Sequence, residues 1–196
     1  VLLTIGSPHR VTHEKMAAEK QKFVSQLSAL PPPRIAVLIG GNSKAHQMTE
    51  AVTRRLALQL QELRKKYQAS LMITTSRRTG EENTRILRET LTGEHVYFWD
   101  GTGENPYFAL LGYADHIIVT EDSVSMASEA LATGKPVYTA PLEGGGKRHN
   151  LFHRLLQNQG YTRPFTGLLE TWSYTPPNDT LKIADAIRQK MQIRDQ

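Results

Sequence analysis

The sequence has no cysteine. That excludes a disulfide scaffold, a thiolate zinc site and a cysteine nucleophile. It has no apolar run near the roughly 20 residues needed to cross a bilayer, and no signal-peptide pattern follows Val1. Aromatic residues are sparse at 7%, and neither charge sign dominates: 24 Lys and Arg stand against 19 Asp and Glu, a net charge of +5. The densest basic runs are Arg64-Lys65-Lys66, Arg77-Arg78 and Lys147-Arg148. None is interleaved with aromatics, so nucleic acid is not the expected partner. Paired arginines suit small anions such as phosphates better. What is present is a globular composition, 39% hydrophobic and 22% charged, in 196 residues, long enough to bury a core without cross-links. A start at Val1 rather than Met reads as a processed product or a piece of a longer protein.

Along the chain, residues 1–5 read as a strand and 14–30 as a helix, followed by the stiff spacer Pro31-Pro32-Pro33. A regular alternation then begins. Arg34 to Ile39 is a continuous apolar run of the kind covered on both faces of a sheet. Met48, Val52, Leu56, Leu60 and Leu63 give a helical stripe within 47–66. Strands follow at 71–75, 95–99, 116–120 and 136–140, with helices at 81–91, 106–114, 123–133 and 149–159. The stretch 161–178 reads as irregular and 179–191 as a last helix. Five strands, each followed by a helix, predict an α/β fold: a Rossmann-like, doubly wound parallel sheet.

In such sheets ligands bind beyond the carboxyl ends of the strands. The loops there are polar and rich in glycine. Gly40-Gly41-Asn42-Ser43 and Gly144-Gly145-Gly146 have the composition of phosphate cradles, where backbone N–H groups and a helix N-terminus attract an anion. Arg77 and Arg78 end the second strand of the alternation, where a guanidinium can grip a phosphate. Asp122 or Ser123 can cap the following helix. On that helix Glu129 sits among Ala127, Ser128, Ala130 and Ala132, small neighbours that let a ligand approach, and a carboxylate accepts two bonds from a diol.

Known fingerprints are missing. The first glycine loop is not a Walker loop, and Gly101-Thr102-Gly103 is followed by Pro106 where a dinucleotide fingerprint needs glycine. No Gly-x-Ser-x-Gly elbow occurs. His149 and His153 are four apart on a helix but have no assignable third ligand, so no metal is expected.

The run Ser125 to Val137, with Glu129-Ala130 followed by Gly134-Lys135-Pro136-Val137, resembles the donor-binding half of GT-B glycosyltransferases, such as the peptidoglycan N-acetylglucosaminyl transferase. A longer likeness covers almost the whole chain. Thr4 to Thr12, Gly40 to Ser43, Thr75 to Thr79, Asp100-Gly101 with Gly103 to Tyr107, and Thr120 to Met126, in that order, are similar to the mitochondrial-fission "elongated mitochondria" family, which is widespread in bacteria.

The resemblance implies that residues 34–196 form the C-terminal, nucleotide-sugar-binding domain of a GT-B-type fold. Residues 1–33 would then be the remnant of an N-terminal domain plus its linker. It implies that Glu129 holds the ribose and that Gly40, Gly41, Asn42, Ser43, Arg77, Arg78 and Gly144 to Gly146 meet the diphosphate. The stretch Phe98 to Gly101, with Asp100 and Gly101 as its ligand candidates, would support the base, with Asp122, Ser123 and Ser125 alongside. The expected ligand is a nucleotide-sugar such as a UDP-sugar, with no further cofactor. The expected partner is the N-terminal domain of the same protein, without which the chain is expected to be inactive. The setting implied is cytoplasmic, with peripheral membrane contact left open. Two alternatives stand beside this: a non-catalytic adaptor of the fission-type family, and a UDP-sugar 2-epimerase.

Overall fold

The computed structural model describes residues 3–99 and 101–194. In chain order the strands are β1 (Arg34–Ile39), β2 (His46–Gln47), β3 (Ser70–Thr75), β4 (Val96–Phe98), β5 (His116–Thr120), β6 (Val137–Ala140), β7 (Glu143–Gly144) and β8 (Thr162–Pro164). The helices are α1 (His13–Lys22), α2 (Val24–Leu27), α3 (Glu50–Tyr67), α4 (Glu81–Thr90), α5 (Tyr107–Tyr113), α6 (Val124–Leu131), α7 (Lys147–Asn158) and α8 (Asp179–Arg194). Among the described residues one parallel sheet has the order β4-β3-β1-β5-β6-β8, and β2 pairs with β7 in a short antiparallel ladder. The chain starts in the middle, at β1, winds outward through β3 and β4, then returns to β5. The topological switch therefore lies between β1 and β5.

Strand periodicity divides the core. Ile35, Val37 and Ile39 join the cluster that includes Val52, Leu56 and Leu60 of α3 and Leu87 of α4. Ala36 and Leu38 point to the opposite face, with Met16 of α1, Leu110 of α5 and Ala127 of α6. Ile35 to Ile39 are all 0% exposed, as a strand covered on both faces requires. Helix starts follow their caps: Thr49 Oγ1 accepts the Val52 N–H at α3, and Ser123 Oγ accepts the Met126 N–H at α6.

Several expectations are corrected. No strand occurs in the described part of 1–5; Val1 and Leu2 lie outside the described residues. The Ile5 and Gly6 N–H groups donate to Asp179 Oδ2, both at 2.8 Å, so a side chain replaces the ladder. The helix expected over 14–30 breaks at Phe23, which leaves the helical region to bury its ring. Val11, Met16, Phe23 and Leu27 of this segment belong to the second core cluster. Residue 47 belongs to β2 rather than to the helix expected over 47–66, which begins at Glu50. A sixth strand, β8, lies in the stretch read as irregular; its Pro164 is tolerated at the edge of the sheet.

Candidate functional site

At the switch point the loops after β1, β3 and β5 lock together. Thr120 Oγ1 accepts the Gly40 N–H at 2.8 Å and donates to Asp122 Oδ1 at 2.7 Å. Asp122 Oδ2 accepts the Gly41 N–H at 3.1 Å and pairs with Arg78 Nη2 at 2.7 Å. Asn42 N–H donates to the Arg78 carbonyl and Ser43 N–H to the His46 carbonyl, each at 2.9 Å. Ser76 Oγ and Thr79 Oγ1 both donate to the Gly40 carbonyl at 2.6 Å. All four N–H groups of Gly40 to Ser43 thus have protein acceptors. A Cβ at Gly40 would collide with the Asp122 carboxylate, and one at Gly41, whose φ is +134°, with the Arg78 carbonyl. The glycines serve this close packing, and the anion in the nest is the chain's own Asp122. Capping of α6 falls to Ser123 instead.

Beside this cluster, over the ends of β3 and β4, opens a cleft of about 810 Å³. Thr74 to Arg77 and the outer residues of α4 form one wall; Trp99, Gly101, Asn105, Tyr107 and Met126 form the other. Arg77 and Gly101 thus come together in it. Arg85 is held by Glu82 and Glu89, and Arg88 lies over the Phe98 ring at 5.3 Å. Arg77 is exposed on the rim. Tyr107 Oη donates to Glu129 Oε2 at 2.6 Å. Burial, reinforced by that carboxylate, pushes the Tyr107 hydroxyl far above its ordinary pKa, so it remains a donor. Glu129 itself lies behind Tyr107 and does not line the cleft. Ser125 is exposed on the first turn of α6, and Asp100 lies outside the described residues. Trp99 and Tyr107 carry the aromatic surface of the cleft; Tyr107 falls in a motif to which the sequence assigned no role, and Trp99 in the stretch expected to support the base.

A third group gathers at the N-terminus of α7. Gly144 pairs with His46, the Gly145 N–H donates to the Ala45 carbonyl at 2.6 Å, and Gly146 is the N-cap with no side-chain bond. The first turn carries Lys147 and Arg148 and no acid. His46 is 2% exposed, with its ring 4.9 Å from that of His149, edge to face. His153 donates from Nε2 to the Glu121 carbonyl at 2.8 Å. Among the described residues its Nδ1 has no partner. Burial lowers the pKa of both His46 and His153, with His149 adding repulsion; the same burial raises Glu121. No group of three His, Cys, Asp or Glu side chains among the described residues is placed to hold a metal. His46 escaped the sequence reading because only the β2–β7 pairing, between segments distant in the chain, brings it here.

Comparison with known proteins gives the lineage. Residues 1–191 match the family described as Mitochondrial fission ELM1. The mitochondrial fission protein ELM1 of Arabidopsis thaliana is 33% identical over 206 residues, covering 99% of this chain and 46% of the relative. The uncharacterized protein RP120 of Rickettsia prowazekii (strain Madrid E) is 32% identical over 197 residues, covering 96% of this chain and 54% of the relative. The chain spans about half the length of the curated relatives it matches. Among solved structures, a UDP-GlcNAc 2-epimerase from Neisseria meningitidis bound to UDP-GlcNAc superposes with a TM-score of 0.47 at 16% identity, over 92% of this chain and 44% of that one. A putative UDP-N-acetylglucosamine 2-epimerase from Listeria monocytogenes superposes with a TM-score of 0.54 at 13% identity, over 85% of this chain and 47% of that one. The Listeria likeness shows the fold, which is GT-B-like. With residues 1–191 matched and 99% of this chain aligned to the plant relative at 33% identity, this chain belongs to the Mitochondrial fission ELM1 family.

Proposed function

We propose that the chain is the nucleotide-sugar-binding half of a GT-B-like glycosyltransferase. The observation that carries this reading is the cleft at the carboxyl edge of the sheet, with Trp99 and Tyr107 on one wall and Arg77 on its rim. Aromatic walls suit a nucleobase, and a guanidinium suits the phosphates that follow it. Further along the same sheet edge, after β6, the N-terminus of α7 follows Gly144 to Gly146 with no side-chain cap and no acid in the first turn, so its positive end is open to an anion. A nucleoside diphosphate-sugar lying along this edge would keep its base in the cleft and its anionic end toward α7. Fixed positive groups there would stabilise a departing diphosphate. The acceptor site and base belong to the other half of the two-domain architecture, so this chain by itself would bind donor without turning it over.

The test is thermal stabilisation by UDP and UDP-N-acetylglucosamine. A ligand at about 100 times its Kd adds roughly 2.7 kcal/mol, or about 5–10 °C for a chain of this size. Glu129→Ala should abolish the shift if Glu129 turns from Tyr107 to the ribose. Tyr107→Phe keeps the aromatic wall and should retain it.

One observation favours a second reading. The buried Asp122 carboxylate, held by Arg78, occupies the nest of the first glycine loop. A fold that fills its own anion site in this way suits a non-catalytic adaptor. No shift with any nucleoside diphosphate, in a folded sample, would decide for that reading.

A further inference from the structure

Helix α7 has two unlike faces. Inward, His153 and Leu156 are buried. Outward, Leu151 and Leu155 are 63% and 37% exposed, one turn apart on a single stripe. Lys147, Arg148 and Arg154 surround them, and the helix contains no acidic residue. No side chain caps its N-terminus, so the positive end of the dipole adds to Lys147 and Arg148. Lys44 lies next in the chain to Ala45, whose carbonyl accepts the Gly145 N–H just before α7. Among the described residues, Lys44, Lys147, Arg148 and Arg154 enter no ion pair.

Free cations around exposed leucines match a partner that is anionic at its surface and apolar beneath. A helix ridge is convex and offers no groove for an acidic peptide. The geometry points to α7 as a docking ridge for an anionic bilayer: the four cations meet headgroup phosphates, while Leu151 and Leu155 enter the interface. The attachment is peripheral, because no helix among the described residues is long and apolar enough to cross a membrane. It brings the Gly144–Gly146 loop to the bilayer surface.

The experiment is co-sedimentation of the chain with vesicles of mixed phosphatidylcholine and phosphatidylglycerol, against phosphatidylcholine alone. The chain should bind the anionic vesicles at low salt and not the neutral ones. Leu151→Ser with Leu155→Ser should cut partitioning by roughly tenfold or more, and each neutralised cation by about fivefold. Leu58→Ser, at an exposed position on α3, should bind as the native chain does, and circular dichroism checks folding. Leu151→Trp should give a blue-shifted emission on anionic vesicles, beyond that of Trp99 and Trp172. Absence of binding at low salt, undiminished binding by the double serine variant, or binding without a blue shift would each overturn the proposal. Retention on polyglutamate in preference to vesicles would also overturn it, assigning the face to an acidic polypeptide.

Discussion

The Asp122 carboxylate lies 2.7 Å from the Arg78 guanidinium and accepts the Gly41 N–H on the same oxygen. One buried side chain thereby ties together the turns after β1, β3 and β5. Asp122→Ala would leave the Gly41 N–H, the Thr120 O–H proton and one face of Arg78 without an acceptor, while Thr120 Oγ1 would still accept the Gly40 N–H. Breaking a fully buried pair costs about 3–5 kcal/mol. Arg78 is 42% exposed, and water will replace part of what it loses, so a loss of about 2–3 kcal/mol is expected. Gly40→Ala should destabilise too, because its Cβ would take the place of that carboxylate. Urea midpoints at constant m-value check both; an Asp122→Ala protein as stable as the native one would show that the cluster contributes nothing.

Lys135 explains part of the Gly134-Lys135-Pro136 run. Its Nζ donates to the Leu111 and Gly112 carbonyls at 2.6 and 2.9 Å, closing the end of α5. Burial, with some repulsion from Lys20, lowers its pKa to about 8 from an ordinary 10.5. Between those values the unfolded chain holds more protons than the folded one, so this site makes stability rise with pH across that window. Lys135→Met removes the titration and leaves two carbonyls unpaired. At pH 7 it should cost about 1–3 kcal/mol. The gap to the native protein should widen above pH 8, by at most about 1.4 kcal/mol per pH unit. Parallel denaturation series at pH 7, 8 and 9 would expose a constant gap, the outcome that removes the argument.

What the sequence made legible was whatever depends on neighbours in the chain. The β1 run, with five consecutive buried residues, reads directly as an interior strand. The stripe Val52, Leu56, Leu60 and Leu63 reads as α3. What failed depends on distant partners. Leu3-Thr4-Ile5 has strand composition, yet the N–H of Ile5 goes to Asp179, at the other end of the chain. Thr162-Arg163-Pro164 has no apolar member, yet pairs with β6 as an edge strand. At the candidate site the strand-end loops and their glycines were found, because turn chemistry is local. Their acceptors were not: nothing near Gly40 in sequence announces that Asp122 will fill its nest. Arg77 and Gly101 meet in the cleft as a consequence of β3 and β4 lying side by side.

His46 and His153 should make the protein acid-sensitive. Both are more than nine-tenths buried, and that burial holds their pKa values below the usual 6.5. Above 6.5 both states are neutral at these positions and stability does not depend on them. As the pH falls below 6.5, the unfolded chain takes up protons that the folded one excludes, and stability declines. Half-buried His116 acts in the same direction. Glu121 acts in the opposite one: its raised pKa lets the folded chain protonate first, which lends stability as the pH falls toward the usual 4.5. The histidines therefore show most clearly just below 6.5. Each contributes at most about 1.4 kcal/mol per pH unit there. His46→Gln and His153→Asn change the absolute stability, the latter by losing the Glu121 carbonyl bond, so the slopes are the quantity to compare. Thermal midpoints from pH 7 to 5.5 should fall less steeply in each variant than in the native chain. Equal slopes would mean that neither imidazole is held neutral by its burial at the mouth of α7.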